Sequence, residues 1–154
     1  MMTLGFAFLI GLLAGLRSLT PPAATAWGAH LGWLKLPRLL SWIGTVPAVA
    51  VCTVLALVEL TTDKLPKTPS RTAPPGLIAR IIMGAFAGAC LATAGAQGAI
   101  LGILLGAVGA IVGAFGGYQV RTRLVKALGT PDFVIALLED LVTIGGSLWV
   151  VSRF

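Results

Sequence analysis

The sequence predicts an all-α integral membrane protein of about five transmembrane helices plus one short half-length or interfacial helix. Three observations carry that reading. Of 154 residues, 57% are apolar and only 10% charged, against about 25% charged in soluble domains, so polar side chains are too few to cover a globule. Mean hydropathy is +0.99, and the 20 glycines suit membrane helices, where glycine is more frequent than in soluble ones. Finally, the apolar residues fall into long runs at 3–17, 41–62, 77–95, 98–117 and 133–151.

The first run, 3–17, lacks a basic leader and a small-x-small cleavage pattern and is read as a retained helix. Thr20 then suits an N-cap and Pro21 the first helical position, where a missing N–H is harmless. A second helix is expected to start there. Trp27 and Trp33 read as interface anchors and His30, Lys35 and Arg38 follow the apolar stretch, so this segment is expected at the surface or partway into the membrane. The 41–62 run holds 22 residues, about 33 Å of helix, which spans a hydrocarbon core of roughly 30 Å.

Residues 63–75 hold Pro66, Pro69, Pro74 and Pro75 and predict an extended polyproline path outside the hydrocarbon, either a basic linker on headgroups or a gating loop. In the fourth run Gly98, Gly102 and Gly106, then Gly109, Gly113 and Gly117, step by four, as do Gly84 and Gly88 and Gly11 and Gly15. Such stripes let helices approach closely, within one chain or between copies, and a homo-oligomer through these faces is expected.

Two portions resemble each other. Ala56-Leu-Val-Glu59 matches Ala136-Leu-Leu-Glu139, and each is preceded by a glycine-rich helix, a break and an arginine: Gly11 to Gly15 then Arg17, and Gly113 to Gly117 then Arg121. The whole chain, 1–154, is read as one transmembrane domain with candidate inverted halves, 1–63 and 98–154, joined by the 64–76 Pro-rich loop and the 77–95 helix. Interrupted segments at matching places in inverted halves point to a transporter's binding site.

The net charge of +6 comes from eleven Lys and Arg dispersed between apolar runs rather than gathered on one segment, so membrane lipids are the expected partners and nucleic acid is not. Cys52 and Cys90 lie in apolar runs with no ligand-spaced companion, so no metal site or disulfide is expected. No Gly-x-Ser-x-Gly, P-loop or His-Glu-x-x-His occurs, and His30 is alone. No catalytic residue and no cofactor is assigned, and the reading leans away from an enzyme.

Only five acidic residues exist. Asp132 is expected to cap the last helix. Glu139 and Asp140 lie about seven residues, or roughly 10 Å, into an apolar run, where an ionisable group must be paired, protonated or hydrated. Glu59 and Asp63 stand one turn apart near the end of the 41–62 run, and the structural alternative for Glu59 is an ion pair that fixes packing. Arg17, Ser18 and Thr20 precede a helix N-terminus, which attracts anions. Arg121 is their expected counterpart, with Glu139 or Asp140 meeting Arg17 and Glu59 meeting Arg121. The candidate substrate- or ion-binding set is therefore Arg17, Ser18, Thr20, Glu59, Asp63, Arg121, Glu139 and Asp140.

Gly15-Leu-Arg-Ser-Leu-Thr-Pro-Pro22, Asp63-Lys-Leu-Pro-Lys-Thr-Pro-Ser-Arg-Thr72 and Ala136-Leu-Leu-Glu-Asp140 together resemble a family of small bacterial membrane proteins catalogued as domain of unknown function 4126. The resemblance covers nearly the whole chain and implies a multi-pass protein of the bacterial inner membrane; it brings no activity with it. From the residues themselves the leading expectation is a small transporter or channel for a small solute or ion, with proton coupling. The alternatives are a protein that handles lipid headgroups, as enzyme or translocase, and a structural subunit of a membrane complex. Five spans would put the termini on opposite sides, and the Lys and Arg bias would place the N-terminus in the cytoplasm.

Overall fold

In a computed structural model that describes residues 2–63 and 72–154, the described residues form six α-helices and no strand. They are α1 (Met2–Leu16), α2 (Thr20–His30), α3 (Val46–Thr62), α4 (Pro74–Ala94), α5 (Ala99–Leu128) and α6 (Asp132–Val151), with a 3₁₀ turn at Ser41–Gly44 ahead of α3. The helices α4, α5 and α6 are long and apolar enough to cross a membrane, whereas α1 and α3 are apolar but only 15 and 17 residues long. The Pro-rich loop expected over 64–76 lies largely outside the described residues; at its end Pro74 and Pro75 open α4 from an extended Ala73, as prolines in a first turn do.

The centre is built by α1, α4 and α5, and glycine makes it possible. A Cβ placed on Gly84 would sit 2.8 Å from the Gly106 carbonyl oxygen, and one on Gly15 would sit 2.5 Å from the Ala114 nitrogen. Backbone meets backbone there, so no larger residue fits. Gly11 lies against Gly106 and Gly15 against Ala110 and Gly113, which makes α1 and α5 parallel; Gly84 meets Gly106 and Gly88 meets Gly102, which makes α4 antiparallel to them. Gly102, Gly106, Gly109 and Gly113 are all buried within the single chain.

Two expectations are corrected. The helix α5 runs unbroken through Arg121 to Leu128, where Gly129 ends it in the left-handed region at φ 59°. With no break in α5 at its arginine, and α5 parallel to α1, nothing in this arrangement supports the portions matched in sequence as inverted copies. The α2 segment is also no surface helix: Thr20 to Ala26 are buried, and it packs on α3, α4 and α6. It leads the chain back toward the end where Val151 touches Gly28. That return leg is why Phe154 stacks near Phe6, with ring centroids 5.9 Å apart, so the chain ends lie together rather than on opposite sides.

Helix lengths set the depth of everything polar. At 1.5 Å per residue α4 and α6 are about 30 Å long, a full hydrocarbon thickness, while α1 and α3 reach only about 22–26 Å. The chain breaks after α1 and α3 therefore fall beside the second and third turns of α4 and α6, not beside their ends.

Candidate functional site

At that level the charges converge. Arg17 follows the last residue of α1 and is fully buried. Its Nε donates to Asp140 Oδ1 at 2.7 Å and its Nη1 to Asp63 Oδ2, so one guanidinium ties α1 to both α6 and α3. Arg80, buried in the second turn of α4, brings Nη2 to 3.7 Å from Asp63 and donates from Nη1 to the Gly76 carbonyl at 3.0 Å. Two arginines and two carboxylates thus face one another in a water-poor place, where removing one member strands the others.

Glu59 belongs to a second part of the site. It does not reach toward Arg121; its carboxylate accepts the Ser18 N–H at 2.7 Å, the Ser18 hydroxyl at 2.5 Å and the Leu19 N–H at 2.8 Å. The N-terminus of α2, which invites an anion, is filled by an anion of the chain itself. This corrects the expected capping: Thr20 is the first helical residue rather than the cap, no side chain of α2 caps it, and Glu59 of α3 satisfies the exposed N–H groups. Among the described residues, Nη2 of Arg17 and Oγ1 of Thr20 are buried with no hydrogen-bond partner.

The third part lies on α5 and α6. Arg121 donates from Nε and Nη2 to Asp132 at 2.8 and 2.5 Å, and its Nη1 approaches Glu139 Oε2 at 3.4 Å. Asp132 therefore pairs with an arginine rather than capping α6, whose cap residue is Pro131. Of the eight residues singled out, Arg17, Asp63 and Asp140 are in direct contact, Ser18 and Glu59 form an adjoining pair, Thr20 borders it, and Arg121 with Glu139 forms a separate one. Arg80 was missed. Its position six residues into an apolar helix is the signal that finds it, since a cation so far inside needs a partner.

Among the described residues, a cleft opens on each flank of α6. One, of about 400 Å³, is floored by α2 and walled by α3 and α6, from Thr20 at its polar end past Trp27 and Thr53 to Leu31. The other, of about 390 Å³, runs along α5 and α6 from Val112 to Leu124 and carries Arg121 and Glu139 on its wall. Among the described residues no group of His, Cys, Asp and Glu is arranged to hold a metal ion.

A bundle of apolar helices, three of them long and apolar enough to cross a bilayer, with Arg17 paired to Asp63 and Asp140 inside it, defines a helical membrane protein. The chain belongs to the family described as Domain of unknown function (DUF4126), whose model matches residues 4–152. No curated protein and no solved structure matches it significantly.

Proposed function

We propose that this protein is a small multi-pass transporter of the bacterial inner membrane that carries a small anionic solute together with a proton. The observation that carries the reading is Arg17: a fully buried guanidinium gripped by Asp63, the residue that ends α3, and by Asp140 on α6, with Nη2 unpartnered. Protonation of Asp140 removes its charge and weakens its hold on Arg17; an anion then takes the vacated place, and the proton leaves with it when the pair reforms. Short α1 and α3 support this, because they leave the pair within about 12 Å of the ends of α4 and α6.

Proteoliposomes loaded with a pH-sensitive dye test it. Addition of small carboxylates or inorganic phosphate should acidify the lumen for the native chain and not for the Arg17→Gln/Asp140→Asn double variant, which removes both charges together and so retains the fold. Equal proton flux in both overturns the proposal. The handling of lipid headgroups is the second reading, favoured by the lateral rim of the cleft that α2 floors, where Leu31, Leu57 and Leu148 are exposed.

A further inference from the structure

The cleft between α5 and α6 has a chemistry independent of Arg17. Arg121 stands 22 residues beyond the first residue of α5, about 33 Å along the helix, which is the level of the headgroups when α5 starts at the opposite interface. Below it the wall is apolar, and α5 contributes Gly116, where a Cβ would meet nothing within 4 Å, so its missing side chain leaves room in the hollow. The charged groups at its mouth are graded by exposure: the Asp132 side chain is 63% exposed, Arg121 17% and Glu139 9%. Arg121 Nη1 reaches Glu139 only at 3.4 Å, long for an ionic hydrogen bond, which is usually 2.7–2.9 Å.

We infer that this cleft binds a phospholipid with an ethanolamine headgroup. One acyl chain lies along Val112 to Leu124, the phosphate diester takes Nη1 of Arg121 in place of its long contact to Glu139, and the primary ammonium donates to Asp132 at the water side. The charge order fits a zwitterion: in a lipid the phosphate is nearer the glycerol and the ammonium further out, and here the cation lies inside the exposed carboxylate. A choline headgroup offers no N–H to Asp132, and a glycerol headgroup offers no charge. Glu139, deeper and anionic, competes with the phosphate for Nη1.

The test is native mass spectrometry of the purified full-length chain in detergent, titrated with dioleoyl phosphatidylethanolamine, phosphatidylcholine and phosphatidylglycerol. Phosphatidylethanolamine should be retained about tenfold more tightly than either. Asp132→Asn should keep binding and level the three lipids, Arg121→Gln should lose them, and Glu139→Gln should tighten all of them. Because Arg121→Gln also strands two carboxylates, Gly116→Leu gives a cleaner control: Gly116 lines the cleft and a Cβ there meets nothing within 4 Å, so the added side chain starts in open space where the acyl chain would lie. That variant should melt like the native chain and lose the lipid. Equal retention of choline and ethanolamine lipids by the native chain, or undiminished binding to Gly116→Leu, overturns the inference. Displacement of the lipid by millimolar phosphoethanolamine or inorganic phosphate also overturns it, by marking a site for free solutes instead.

Discussion

Arg17 is the residue on which the polar interior hangs, because the guanidinium has no form in which it escapes charge and its two carboxylates come from different helices. Breaking a buried pair from one side costs roughly 3–5 kcal/mol, while removing both partners recovers much of it. Thermal melting in detergent should therefore rank Arg17→Gln and Asp140→Asn each well below the native chain, with the double variant between them; additive losses would show that the two residues act separately. Glu59 differs, since it serves two backbone N–H groups and one hydroxyl rather than a cation. Glu59→Gln keeps the shape but weakens charge-assisted acceptance, and a loss of roughly 1–3 kcal/mol is expected. No loss on melting would mean that water serves α2 equally well. The sequence marked all these residues through the scarcity of acids in an apolar chain, yet the pairing of Glu59 was not readable, because a carboxylate that meets backbone donors leaves no complementary charge to search for.

At the scale of helices, steps of four glycines were legible as close-packing faces, and what they pack against was not, since a stripe of small residues names no partner. The spacing of Gly11, Gly15, Gly106 and Gly113 is satisfied between α1 and α5, with Gly84 and Gly88 of α4 on the other side. A contrast follows inside one residue type. Gly113→Ala forces a methyl group into the Leu12 backbone and should lower the melting point by several degrees or prevent assembly, whereas Gly145→Ala meets nothing within 4 Å and should raise stability by roughly 0.5–1 kcal/mol through its helix preference. Equal behaviour of the two variants would remove the claim that α1 and α5 touch. The length of α5 was the element misread: the apolar run stops near Gly117, and the polar stretch Tyr118 to Lys126 looks like a break, but helix continues wherever glycine, proline and capping residues do not stop it, here until Gly129.

For the molecule as a whole, membrane class and most helices were written in composition and apolar runs, while the sidedness depended on one 11-residue helix whose weak hydrophobicity hides its return path. With the ends of the chain together, the cations divide between two faces. Among the described residues, Arg17, Arg80, Arg121, Arg123 and Lys126 belong to the face where α5 joins α6, leaving Lys35, Arg38 and Arg153 for the other. The positive-inside rule then predicts that the α5–α6 connection faces the cytoplasm and that residues near both termini face the other side. Reporter fusions at Met1 and Phe154 should agree with each other and report the outer side; opposite signals would sink the six-helix path. The neighbouring rings of Phe6 and Phe154 carry a further consequence. A short linker can join the neighbourhood of Phe6 to that of Phe154 without crossing the bundle, so α1 and α6 can be tied into one closed circuit that leaves every helix contact in place.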